Sequence, residues 1–132
     1  MLFRSRMVAD QIGAPTWARE IADATALMVR QACDERARGD FKSRIFNVTA
    51  AGATSWYGFA EAILDQAVSQ GVLRKRPKIH AISTSAYPLP AARPKNSRLA
   101  GERLHARFGI ALTEWKQALV LCMQDMAMTG AS

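Results

Sequence analysis

Residues 87–99 read Tyr-Pro-Leu-Pro-Ala-Ala-Arg-Pro-Lys-Asn-Ser-Arg-Leu, and they concentrate the side chains best suited to gripping an anion. Pro88, Pro90 and Pro94 remove backbone donors and fix φ, so neither a helix nor a central strand can form there. What remains is a stiff, extended loop bearing Arg93, Lys95, Asn96, Ser97 and Arg98. Guanidinium groups hold phosphate oxygens in bidentate fashion, and the amide and hydroxyl add neutral hydrogen bonds. The chemistry on offer is recognition of a phosphate-bearing ligand. The same residue types also populate solvated connectors, and composition alone leaves both readings open.

Other chemistries find less support. His80 and His105 have no second ligand nearby in sequence, which predicts no metal site. Glu61 and Asp65 fall on a different predicted helix from Glu114, with no apolar pocket evident, so no acid–base carboxylate pair is expected. Hydride-transfer chemistry on a nicotinamide needs a Gly-rich turn for the pyrophosphate and, in one common arrangement, a Tyr-x-x-x-Lys pair. Here the glycines are isolated, Glu61 follows Tyr57 by four residues, and Ala91 follows Tyr87 by four. No catalytic or cofactor-binding residue is therefore predicted.

The elements that must position the loop alternate between strand and helix. Residues 7–10 read as the end of a short strand. Pro15 and Thr16 open a helix with Thr16 as its N-cap, and Trp17, Ile21, Ala24, Met28 and Ala32 form its apolar stripe up to Gly39. Residues 44–49, rich in β-branched and aromatic side chains, predict a strand closed by Gly52. Thr54 or Ser55 caps a second helix with a stripe of Trp56, Phe59, Ala60, Ile63, Leu64 and Ala67, stopped at Gly71. Residues 79–83 form a brief strand entering the loop. A short helix runs over about 100–108, and a last one from Thr113 to about Met126 buries Trp115, Leu119, Cys122 and Met126. The three tryptophans are expected in core or inter-domain packing.

At 132 residues the chain holds at most one small domain. Its net charge of +7 raises a nucleic-acid reading, but the cations are scattered, with no zinc-ligand spacing or RNA-binding aromatic strand, so no nucleic-acid partner is expected. No apolar run approaches the roughly 20 residues that span a bilayer, and the basic start lacks the apolar stretch of a secretory leader, so no membrane partner is expected either. Cys33 and Cys122, without a CxxC pair, suit a reduced, cytoplasmic protein.

Three segments, in order, resemble the dTDP-4-dehydrorhamnose reductases of the extended short-chain dehydrogenase/reductase superfamily. Asp10-Gln11-Ile12-Gly13-Ala14-Pro15-Thr16 is similar to D-Q-x-G-x-P-T in that family. Residues 46–57 are similar to its strand, Gly turn and helix start, and residues 87–99 to Y-P-x-P-A-x-R-P-x-N-S-x-L. The resemblance covers 8–126. It implies an α/β fold: the small substrate-binding portion of such a reductase, with about four helices and a few short strands and its Rossmann domain missing. Residues 7–128 are expected to form this portion, 129–132 a tail, and 1–6, which match nothing in the family, a non-native start.

For function the resemblance implies reduction of dTDP-4-dehydro-L-rhamnose to dTDP-L-rhamnose for cell-surface polysaccharide. NADPH or NADH would serve the full-length protein, and neither would bind this fragment, which alone is expected to be inactive. The expected partners are the dTDP-sugar and the missing Rossmann domain, with a homodimer of the full-length protein left open. Arg93, Asn96, Ser97 and Arg98 are expected on the substrate side, with Gln11 and Thr16 second; the competing role for all six is to brace the two domains. One departure stands out: Ala100-Gly101 replaces the polar pair that opens the next helix in the family. The alternative is a non-catalytic relative of the same fold, like the regulatory β subunit of methionine adenosyltransferase.

Overall fold

The first strand and the fourth lie side by side although some seventy residues separate them. The computed structural model describes residues 5–129, and in it β1 (Ser5–Val8) pairs in parallel with β4 (Ile79–Ile82), Ser5 opposite Ile79 and Val8 opposite Ile82. Parallel strands need a long crossover. Here it comprises β2 (Ile12–Gly13), α1 (Ala18–Arg38), β3 (Thr54–Ser55) and α2 (Trp56–Ser69). β2 and β3 form their own antiparallel pair, Ile12 against Ser55 and Gly13 against Thr54. A single 3₁₀ turn (Thr84–Ala86) follows β4, then the Pro-rich loop, α3 (Glu102–Phe108) and α4 (Trp115–Thr129). The four helices and few short strands are those of the small α/β portion expected from sequence.

Local chemistry sets most of the helix ends. Gly39 takes φ +79°, a left-handed cap that lets the backbone N–H groups of Gly39 and Asp40 close on the last carbonyls of α1. Ser55 caps α2 by accepting a hydrogen bond from the Gly58 N–H at 3.0 Å. At α3 the N-cap is Gly101, with no side-chain cap, as the Ala100-Gly101 departure implies.

Three expectations are corrected. Residues 44–49 form no strand: no described strand pairs with them, and Ile45 is 89% exposed. Thr16 does not cap α1, which starts at Ala18 with Trp17 in the cap position. The Thr16 hydroxyl instead accepts from the Ala50 N–H at 3.0 Å and donates to the Ala14 carbonyl, also at 3.0 Å. On α4 the buried residues are Trp115 and Ala118, while Met126 is 67% exposed. Of the predicted non-native start, Ser5 and Arg6 belong to β1; residues 1–4, and residues 130–132 of the predicted tail, lie outside the described residues.

The core is built largely from small side chains: Ala24, Ala50, Ala67 and Ala118 are buried, with Trp115 and Leu104 the large exceptions. Phe59 meets Trp115 edge-on at 6.1 Å, joining α2 to α4, and Phe46 meets Phe108 at 5.1 Å. Glu35, near the end of α1 and only 7% exposed, accepts from Nη1 and Nη2 of Arg107 on α3. That bidentate contact holds the Glu35 carboxyl below its ordinary range. Asp10 is lowered by the Thr84 hydroxyl, and Glu61 by the Arg76 guanidinium and then the Tyr57 hydroxyl.

For each of these groups the folded value lies below the unfolded one. The stability they supply is therefore complete above the usual carboxylate range and is lost as pH falls through the folded values. The melting temperature is expected to hold steady from about pH 8 to 5 and to drop below about pH 4. Glu35→Gln should melt lower at neutral pH and show a shallower acid decline. Melts of both proteins across this range check it; an unchanged acid slope in the variant would contradict the role given to Glu35.

Candidate functional site

The Pro-rich loop is anchored on the segment that resembles D-Q-x-G-x-P-T. The Ile12 N–H donates to the Lys95 carbonyl, and the Ser97 N–H donates back to the Ile12 carbonyl, each at 2.8 Å. The Ser97 hydroxyl adds a bond to the same carbonyl at 3.1 Å. The loop passes so close that a Cβ at position 13 would sit 2.8 Å from Ser97 Oγ, which accounts for Gly13. Just before Ile12, Asp10 Oδ1 accepts from the Thr84 N–H at 2.8 Å and its hydroxyl at 2.7 Å, and Gln11 Nε2 donates to Thr84 Oγ1 at 3.2 Å. Thr16 ties in the third segment through Ala50, so all three sequence motifs meet.

Between them lies a cleft of about 470 Å³, within the range of small-molecule sites. Four of the six predicted residues line it: Gln11, Thr16, Arg93 and Ser97. Asn96 and Arg98 do not. Asn96 Oδ1 accepts from both the N–H and Nε of Arg98 at 3.1 Å, a self-contained bend that shapes the loop beside the cleft. Of the residues lining the cleft Arg93 alone is charged, and it has no carboxylate partner among the described residues. An uncompensated guanidinium in a cleft without acids attracts an anion.

Sequence reasoning missed part of this wall, namely Thr49, Thr54, Ser55, Trp56 and Phe59. Of the two places expected for Trp56, core or inter-domain packing, the core is corrected: it is 56% exposed and lines the cleft. The available signal was its place directly after the capping serine, since a first-turn residue beside a paired strand borders the loops.

A second, larger groove of about 970 Å³ lies elsewhere, between the end of α1, residues 40–46 and α3. It carries Arg38, Lys42, Arg44, Arg103 and Arg107, two of them answered by Asp40 and Glu35, and no predicted site residue.

A dinucleotide cofactor does not fit the residues described. Gly52 and Gly58, the glycines flanking the start of α2, are backed by other groups: a Cβ at Gly52 would meet a Glu114 carboxylate oxygen at 2.6 Å, and one at Gly58 the Thr54 hydroxyl at 2.5 Å. A pyrophosphate needs open backbone N–H groups there, not a carboxylate. No step of hydride transfer is assigned to this chain. Among the described residues no group of three His, Cys, Asp or Glu side chains is arranged to hold a metal, and no helix is long and apolar enough to cross a membrane.

Fold and cleft together define a small α/β module of the substrate-binding type. A family model described as RmlD substrate binding domain matches residues 4–128, and the chain belongs to that family. It is 50% identical over 123 residues to the dTDP-4-dehydrorhamnose reductase of Burkholderia thailandensis, covering 92% of this chain and 41% of that protein. To the reductase of Escherichia coli K12 it is 33% identical, covering 95% and 40% respectively. The structure of a Clostridium acetobutylicum dTDP-4-dehydrorhamnose reductase superposes with a TM-score of 0.73 at 29% identity, over 94% of this chain and 39% of that one. The Bacillus anthracis reductase, solved in complex with NADP, has a TM-score of 0.67 at 24% identity, over 88% and 36%, a likeness of fold. The chain thus spans about two-fifths of the length of these relatives.

Proposed function

We propose that this chain is the substrate-side portion, over residues 7–128, of a cytoplasmic dTDP-4-dehydrorhamnose reductase, which reduces dTDP-4-dehydro-L-rhamnose to dTDP-L-rhamnose with NADPH or NADH. The observation that carries the reading is Arg93, which has no carboxylate partner among the described residues, in a cleft lined by no carboxylate and built where the three motif segments join. In this reading the Arg93 guanidinium lies against the sugar-nucleotide diphosphate, Gln11 offers hydrogen bonds to the ligand, and Thr16, whose hydroxyl hydrogen goes to the Ala14 carbonyl, can accept one. Ser97 fixes the distance between the walls through Ile12, and Asn96 with Arg98 keeps the loop in shape. Cofactor binding and the proton delivered to the developing alkoxide belong to residues outside this chain.

The isolated chain is then expected neither to oxidise NADPH nor to bind it in the low micromolar range, an affinity worth about 8 kcal/mol that requires a phosphate cradle. Fused to the complementary portion of the Burkholderia thailandensis relative, residues 5–129 should support reduction of dTDP-4-dehydro-L-rhamnose. Calorimetric titration of the chain and a turnover assay of the fusion test the proposal. A low-micromolar NADPH site in the chain, or a folded fusion that binds cofactor but leaves the sugar nucleotide unreduced, would overturn it.

A further inference from the structure

The three tryptophans serve three different ends. Trp115 is buried, edge-on to Phe59, with the Lys116 ammonium 5.7 Å from its ring centre. The guanidinium of Arg19 lies 5.7 Å from the ring centre of Trp17. Trp56 is 56% exposed, lines the cleft that holds Arg93, and among the described residues has neither a ring nor a cation over its face. Its backbone is firmly held. Ser55, immediately before it, caps α2 and pairs with Ile12, the residue on which the Pro-rich loop is anchored. A large aromatic displayed on a fixed backbone presents a flat surface at low entropic cost.

We propose that Trp56 is the stacking wall for the base of a nucleoside diphosphate whose phosphates lie against Arg93, so that the cleft recognises the nucleotide part of its ligand and not the diphosphate alone. This rests on the reading of the cleft as a sugar-nucleotide site and adds which part of that ligand this wall takes. An indole face matches a planar π-system over its whole area, whereas a pyranose offers only patches of C–H. The neighbouring wall suits a base edge as well. Gln11 spends one amide hydrogen on Thr84, and its carbonyl oxygen has no partner among the described residues, so its amide can pair with an edge that alternates carbonyl and N–H. Thymine and uracil carry such an edge.

The test measures dissociation constants of the chain for thymidine diphosphate, inorganic pyrophosphate and dTDP-L-rhamnose, in the wild type and in Trp56→Ala, Trp56→Phe and Arg93→Ala. Trp56→Ala should weaken thymidine diphosphate and dTDP-L-rhamnose about tenfold or more while leaving pyrophosphate unchanged, and Trp56→Phe should keep most of the affinity, because stacking tolerates a change of ring. Arg93→Ala should weaken all three ligands. An unaltered thymidine diphosphate affinity in Trp56→Ala overturns the inference. So does an equal loss for pyrophosphate, which would mean that the ring only shapes the cleft, and so does a loss confined to dTDP-L-rhamnose, which would place the ring on the sugar. A wild-type chain that binds none of the three at millimolar concentration removes the underlying reading too, and is told apart from the other failures by the wild-type titration alone.

Discussion

Replacing Arg93 with alanine, in the fusion described above, is expected to raise the Michaelis constant for the sugar nucleotide about ten- to a hundredfold and to leave that for the cofactor unchanged. The size follows from removing a charge-assisted, bidentate contact worth roughly 1.5–3 kcal/mol. Arg93 sits between Ala92 and Pro94, so its backbone is held extended and little entropy is lost when its guanidinium engages a ligand. Arg93→Lys should recover only part of the loss, because an ammonium cannot reproduce the planar fork. A bracing role for Arg93 makes the opposite forecast: a lower melting temperature with an intact Michaelis constant in the folded fraction. Kinetics and melting of the same two variants separate these outcomes, and an unchanged Michaelis constant in Arg93→Ala would rule out the diphosphate contact.

The second large effect is expected at Leu104, the one large side chain among the described residues that is almost wholly buried, at 2% exposure. The other buried apolar residues are mostly alanines, so the core has few large side chains that could shift to fill a void. Leu104→Ala should therefore cost about 2–5 kcal/mol, the range for a buried leucine whose site relaxes poorly. That is a large fraction of the 5–15 kcal/mol that usually separates folded from unfolded chains. Leu104→Met keeps the volume and should cost less than about 1.5 kcal/mol. Urea titrations of both variants, compared at equal slope, check the difference. A loss below 1 kcal/mol in Leu104→Ala would show that α3 is held by its Glu35–Arg107 pair and not by packing.

The features legible in the sequence were those decided within a few residues. Helix periodicity, the left-handed Gly39 and the Ser55 cap all act over one turn, and each appears where the residues indicate. The misreadings share a cause at longer range. Thr16 has the side chain of an N-cap, but the Ala50 N–H, 34 residues on, captures its hydroxyl. Residues 44–49 have the composition of a strand, yet a strand exists only with a neighbour, and Ile45 finds none. At the site, the loop and its arginine were readable because proline and guanidinium act through their own covalent structure. That Arg93 and Ser97 line the cleft while Asn96 and Arg98 close on each other was not, since one side-chain bend decides it. Trp56 was assigned to an apolar stripe by its spacing, which does not distinguish a helix face toward the core from one toward a cleft.

The pairing of β1 with β4 also bears on the order in which this chain can acquire its structure. Asp10 meets Thr84 across 74 residues, Gln11 meets Thr84 across 73, and Ser97 reaches Ile12 across 85. On a ribosome, which makes protein from the N-terminus at about 5–20 residues per second, the segment from Ser5 to Gly13 waits several seconds for its partners to emerge. α1 and α2 can form meanwhile from local contacts, but the cleft cannot, because Arg93 and Ser97 emerge long after Gln11 and Thr16. Contacts so distant in sequence are also the slow ones to form after release. Ligand recognition is thus among the last properties the molecule gains, and the newly made chain passes through an interval with its helices formed and its binding surface still in two pieces.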